Sequence, residues 1–147
     1  ADTPRLTTNS ARARHLNSVH GVYLREEHRE LGSELLPLAS LNAVTMLHAE
    51  IVGRSYGGGI LKLEPKEADR WAVPSPALIA SAAEALAAIR PRVARLLRTG
   101  RLAEASALVD AVLLSEPEHL SARELDDVRQ ARDEMVRRRT VRGASGR

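Results

Sequence analysis

The spacing of apolar positions divides the chain into two stretches of different character. Between Ser33 and Gly53, Leu35, Leu38, Leu41, Val44, Leu47 and Ile51 recur every third or fourth residue, the period of one helical face. Ser33 is placed to cap that helix, Pro37 falls in its first turn, and Gly53 follows as a terminator. Upstream, Val19, Val22, Tyr23 and Leu24 gather around Gly21 in "RHLNSVHGVYLRE" (14–26), which predicts a short strand or hairpin, and "EEHRE" reads as a solvated connection. Downstream, "ILKLE" (60–64) alternates as a strand closed by Pro65. "WAVPSP" (71–76) is a second extended piece, because residues ahead of Pro74 and Pro76 are pushed out of the helical region.

From Ser75 onward the period is helical throughout. Ser75 as cap and Pro76 at the first helical position open a helix through Leu78, Ala82, Leu86 and Ile89. Pro91 breaks or kinks it, and Val93, Leu96 and Leu97 carry it to a stop at Thr99–Gly100. The next helix holds Leu102, Ala105, Leu108, Val109, Val112 and Leu113 and ends near Pro117. Ser121 and Glu124 form a capping box for a last helix through Val128, Met135 and Val136. The resulting expectation is an α+β chain. An irregular arm (1–13) leads into a mixed half with short strands (14–75), then an all-helical half (76–138) and a basic, disordered tail (139–147). The pattern leaves open whether the halves form one unit or two.

Composition sharpens this picture. With no Phe, one Trp and two Tyr, the core must be aliphatic, and the low aromatic content argues against a site that stacks several unpaired bases. There is no Cys for a disulfide or a thiolate zinc site. No apolar run reaches 18 residues and no signal-peptide core opens the chain, so the expectation is a cytoplasmic protein without a membrane partner. Lys and Arg total 22 against 19 acidic residues, and only Lys62 and Lys66 are lysines. Arginine is the better fork for phosphate and for guanine edges. Arg92, Arg95 and Arg98 recur on one helix face, which is either solvated or tracks phosphates. Arg137–Arg139 would add affinity for any polyanion.

Catalytic signatures are missing from the sequence. The five histidines include no HExxH pair, there is no G-x-S-x-G elbow, and the adjacent carboxylates Glu26–Glu27 and Asp126–Asp127 read as solvated. The chain alone is therefore not expected to be catalytic, and no metal is expected. The helical hairpin "LLRTGRLAEASALVDAVLLSEP" (96–117) is similar to one tetratricopeptide unit, but such repeats need about three copies to stack. It supports an alternative reading in which residues 76–138 form a helical protein-interaction module that docks a partner.

The most distinctive stretch is "GRSYGGGILKLEP" (53–65). Glycines permit positive φ and close backbone approach, and successive amides in such a turn can form an anion-binding nest. Arg54 and Lys62 flank it with charge, and Tyr56 adds a hydroxyl and a flat face. The plainer reading is a turn that needs glycine for geometry alone. It is no P-loop, because the G-K-[ST] ending is absent and the glycines precede a strand.

Through "LNSVHGVYL" (16–24) and "LASLNAVTMLHAEIVGRSYGGGILKLEPKEADRWAVP" (38–74), the chain resembles the C-terminal target-recognition region of adenine-specific DNA methyltransferases of the Taq-like restriction-modification type. The specificity subunits of multi-subunit restriction systems are similar in plan. The resemblance implies that the first half reads or grips double-stranded DNA while a separate catalytic domain, in cis or in trans, flips and methylates the adenine. That domain would carry the Asn-Pro-Pro-Tyr motif and the S-adenosylmethionine site, neither of which occurs here, so no cofactor is expected in this chain. By the same resemblance the DNA-binding candidates are Arg54, Ser55, Tyr56, Gly57, Gly58, Gly59 and Lys62, with Asn17, Ser18 and His20 near them.

Overall fold

The computed structural model describes residues 3–14, 19–115 and 120–144, the last three by their backbone only. Its elements are a 3-10 turn (Glu26–His28), α1 (Arg29–Ala39), α2 (Ala43–Val52), β1 (Arg54–Tyr56), β2 (Ile60–Lys62), α3 (Pro65–Ala68), α4 (Pro76–Ser81), α5 (Ala83–Arg98), α6 (Leu102–Leu113) and α7 (Ala122–Ala144). The class is α+β, as the periodicity implies, with the strands confined to one antiparallel pair.

The apolar stripe from Leu35 to Ile51 is carried by two helices bent 85° apart, not by one. Asn42 causes the break and heals it. Its side-chain amide donates to the Ala39 carbonyl at 2.8 Å, closing α1, while its oxygen accepts from the Thr45 amide at 2.8 Å, opening α2. The next α2 amide, that of Ala43, donates to Asp110 Oδ1 on α6 at 2.7 Å. A helix start buried this deeply needs such partners for its orphan N–H groups. The first helix also begins four residues before Ser33, which puts Pro37 in its interior. Proline cannot donate to the Ser33 carbonyl one turn back. The Thr8 hydroxyl donates to it instead, at 2.5 Å, and so ties the N-terminal arm to α1.

Residues 19–25 form no strand. Among the described residues no second strand lies beside them, and Val22 and Tyr23 stay 60% and 89% exposed. Leu24 holds the segment down by packing into the space left by Gly32, where a Cβ would sit 2.8 Å from its Cδ1. The "EEHRE" stretch is the 3-10 turn and the start of α1 rather than a loose connection. The extended piece at 71–75 does form, pinned to α2 by Trp71 Nε1 donating to the Thr45 carbonyl (2.8 Å) and by the Ala72 amide donating to His48 Nδ1 (2.9 Å).

In the helical stretch the Ser75 cap and Pro76 start are present, with Leu78 N–H donating to the serine hydroxyl. The break falls at Ala82, and α5 runs through Pro91 without interruption to Thr99. Gly100, at φ +74°, ends it in a turn where the Arg101 amide reaches back to the Leu96 carbonyl. The capping box at Ser121 and Glu124 is formed in both directions.

Leu86, Val93, Ala105, Val109 and Leu113 are essentially inaccessible and share one aliphatic core with Leu35, Leu38, Ala39 and Met46 of α1 and α2. Each fully buried leucine contributes roughly 1.5–3 kcal/mol by removing its surface from water. Helices α1 and α2 thus bury their apolar faces against α4, α5 and α6. The tail does not follow the expectation: α7 continues to Ala144 among the described residues, and Arg139 is buried. Its partner, Glu50, lies in α2 and is invisible to local sequence reading.

Candidate nucleic-acid interface

The glycine stretch is the tip of a two-stranded hairpin. Arg54 pairs with Lys62, Ser55 with Leu61 and Tyr56 with Ile60. Because side chains alternate across a strand, Arg54, Tyr56, Ile60 and Lys62 share one face, and Leu61 projects from the other into the fold. The Leu61 side chain fills the space over Gly53, where a Cβ would come within 2.6 Å of it. Only the first strand was unanticipated, since "RSY" is too short to show a period. The second ends at Lys62 because Pro65 already starts α3.

The tip itself is a turn closed by the Gly59 amide donating to the Tyr56 carbonyl at 3.0 Å. Gly58 and Gly59 adopt φ +78° and +74°, which side-chain-bearing residues rarely do. Gly57 and Gly58 are open to solvent, with nothing within 4 Å of a hypothetical Cβ. Gly59 differs. A Cβ there would lie 3.0 Å from Thr140 Cα and 3.2 Å from the Arg139 carbonyl oxygen, so α7 presses directly on its backbone.

Arg139 fastens that contact. Its Nε and Nη2 each donate to one Glu50 oxygen at 3.0 Å, and its Nη1 donates to the Gly59 carbonyl. Both side chains are almost fully buried, at 7% and 3% exposure. One side of the bend is therefore clamped between α2 and α7, and the Gly57–Gly58 edge faces outward.

The flanking cations are not bare. Arg54 forks onto Glu67 Oε1 through Nε (2.9 Å) and Nη2 (2.6 Å), and Lys62 Nζ lies 2.8 Å from Glu64 while sitting over the Tyr56 ring. The Tyr56 hydroxyl donates to the same Glu64 at 3.1 Å. These contacts hold the Glu64 carboxyl below its ordinary range, Lys62 first and Tyr56 second, and the Arg54 guanidinium does the same for Glu67. The Arg54 and Lys62 pKa values are raised in return, chiefly by hydrogen bonds to those carboxylates. Sequence reasoning missed both glutamates. The alternation Ile60, Lys62, Glu64 was the available signal, because it places Glu64 on the same side as Lys62.

His20 is brought to the hairpin, its Nε2 lying 2.7 Å from the Leu63 carbonyl just beyond β2. It also borders a groove of about 860 Å³ between the N-terminal arm and residues 19–24, with Arg5, Arg14, Tyr23 and Leu36 among its walls. Asn17 and Ser18 lie outside the described residues. Farther along, Asp110 joins three elements: it accepts from Ala43 of α2 and from Arg129 of α7, the latter at 2.8 Å. Arg137 and Arg138 both pair with Glu134. Among the described residues no group of three or more His, Asp or Glu is arranged to hold a metal ion, and no single helix is long and apolar enough to cross a membrane.

Comparison with known proteins places this geometry. Residues 1–114 match the family model described as the C-terminal domain of the Type II methyltransferase M.Eco57I. A curated relative, Type II methyltransferase M.XamI of Xanthomonas campestris pv. amaranthicola, is 41% identical over 78 residues, which cover 49% of this chain. The match spans 13% of that relative's length. No solved structure matches. The hairpin, its α2 and α7 supports and the arm that steadies α1 are thus features of a chain that belongs to the M.Eco57I C-terminal domain family of Type II methyltransferases.

Proposed function

We propose that the chain is the target-recognition part of an adenine-specific DNA methyltransferase and that it presents the 54–62 hairpin to double-stranded DNA. The observation that carries this reading is the tip: two exposed glycines with no side chains, on a turn whose other edge is held by a buried ion pair. A bare backbone edge can approach a phosphate or a groove wall more closely than any side-chain-bearing turn, and its rigid mounting lowers the entropy cost of docking. Tyr56, Ile60 and Lys62 on the same open face supply a hydroxyl, an apolar contact and a cation. The chemistry of methyl transfer, with its S-adenosylmethionine site, belongs in this proposal to a catalytic domain joined in cis or in trans. The family membership and the relative's name support a methyltransferase setting.

A docking module built on residues 76–138 is less well supported. Among the described residues, the large exposed hydrophobic side chains lie at 19–23, 44–60, Val73 and Val141, and none lies within 76–138.

The test is duplex binding as a function of salt. Replacing Lys62 by Ala weakens binding on every sequence and reduces the salt slope by about 1 if it meets one phosphate. Glu64→Gln acts in the opposite direction, because it removes the negative charge that competes for Lys62 and Tyr56. An unchanged slope in the first variant together with unchanged affinity in the second removes the hairpin from the interface.

A further inference from the structure

The hairpin cations are internally compensated, so a domain that binds DNA through them alone would show little salt dependence. The same compensation holds for about half of the described cations. Arg29, Arg54, Lys62, Arg90, Arg101, Arg129, Arg137, Arg138 and Arg139 each lie within 3.2 Å of a carboxylate oxygen. Among the cations without such a partner, Arg92, Arg95 and Arg98 lie together on one helix. All three are exposed, and none has an ion-pair partner among the described residues. Arg101 already holds the Glu104 carboxylate and lowers its pKa, to which Arg92 adds only a small effect through space.

The three also form a row. They repeat every third residue on α5, so the row spans about 9 Å of helix axis at 1.5 Å per residue. One DNA strand carries a phosphate about every 3.4 Å along the duplex axis, so three or four successive phosphates match that length. Leu86, Val93 and Leu96 bury the opposite side of α5 in the core, which fixes the direction in which the row points. A favourable interaction with the helix C-terminus accounts for Arg95 and Arg98 in the last turn, but Arg92 lies before it. The remaining cations without an ion pair, such as Arg5, Arg12 and Arg14 on the arm, form no such row on a helix.

We infer that Arg92, Arg95 and Arg98 form a second polyanion-binding surface, separate from the hairpin, that tracks the phosphate backbone of duplex DNA and supplies most of the chain's salt-dependent affinity. This inference rests on the reading that the chain binds DNA, and it assigns backbone grip to α5 and close approach to the hairpin. The fork of three guanidiniums suits phosphate better than the point charge of lysine does.

The experiment measures binding of the 147-residue chain to two unrelated duplexes across a salt series. The variants are R92Q/R95Q/R98Q, which keeps helix propensity, and R92K/R95K/R98K, which keeps charge but loses the fork. Circular dichroism and thermal melting confirm the fold of each. The expected result is at least about a tenfold loss on both duplexes for the Gln variant, with the salt slope smaller by about 2–3, and a partial loss for the Lys variant. Unchanged slope and affinity in the folded Gln variant overturn the inference. So does retained DNA binding accompanied by lost binding to polyglutamate, which assigns the row to an acidic protein surface. If hairpin variants weaken binding while the α5 variants do not, only this inference falls. If the unaltered chain shows no salt-dependent duplex binding, the proposed function falls with it.

Discussion

Removing one partner of the Glu50–Arg139 pair is the most severe perturbation the structure identifies near the hairpin. The pair is bidentate at 3.0 Å, nearly inaccessible on both sides, and extended by the Arg139 bond to the Gly59 carbonyl. Glu50→Met therefore removes the carboxylate that neutralises a buried guanidinium. Breaking a buried pair from one side costs about 3–5 kcal/mol, a large part of a typical domain stability of about 5–15 kcal/mol. At roughly 3 °C per kcal/mol for a domain of this size, the melting temperature falls by about 10–15 °C. The double variant E50M/R139M removes both charges and recovers much of that loss, because the desolvation penalty disappears with the pair. Thermal denaturation followed by circular dichroism measures Glu50→Met, Arg139→Met and the double variant, and hydrogen exchange at the Gly59 amide reports on the hairpin directly. A single-variant shift below about 3 °C refutes the clamp, as does a double variant no more stable than the worse single.

Three further outcomes follow from the same geometry. Alanine at the three tip glycines should rank by cost. Gly57→Ala is nearly neutral, within about 0.5 kcal/mol. Gly58→Ala costs about 1–2 kcal/mol for its positive φ, and Gly59→Ala costs more, since it adds a collision with the α7 backbone to a similar φ. Chemical denaturation checks the order, and equal costs at 57 and 59 contradict it. Glu64 and Glu67 have lowered pKa values in the fold, so their contribution is fully present above the unfolded carboxylate value of about 4.3 and is lost as pH falls through the lowered folded values. The protection of the hairpin amides, taken as the ratio of intrinsic to observed exchange rate, should therefore fall selectively as pH drops below about 4.3, and a hairpin as protected in acid as at neutrality contradicts the pairing. Asp110→Ala should destabilise by about 3 kcal/mol or more, because it orphans the Ala43 amide and the Arg129 guanidinium together, whereas Asp126→Ala, on an exposed turn of α7, should change little.

Several capping signals were legible in the sequence because their partners lie within one helical turn. The Ser75 cap, the Gly100 stop and the Ser121–Glu124 box are all present, each fixed by residues three or four apart. Long-range decisions were not. The stripe from Leu35 to Ile51 keeps its period across the bend at Asn42, so apolar spacing alone could not reveal that the helix divides. Tyr23 lies in a run with strand character, yet among the described residues no second strand pairs with it. The arginine triplet at 137–139 looks solvated until the fold brings Glu50, 89 positions away, against its last member. The hairpin candidates Arg54 and Lys62 were found through a motif, and the carboxylates that hold them were missed although they lie in the same short segment.

The claim that the exposed hairpin edge meets DNA is tested most directly by amide chemical-shift mapping of the chain titrated with duplex. The account predicts that the amides of Tyr56, Gly57, Gly58 and Lys62 shift early and broaden. Duplex binding that moves resonances elsewhere and leaves those four unchanged would contradict it.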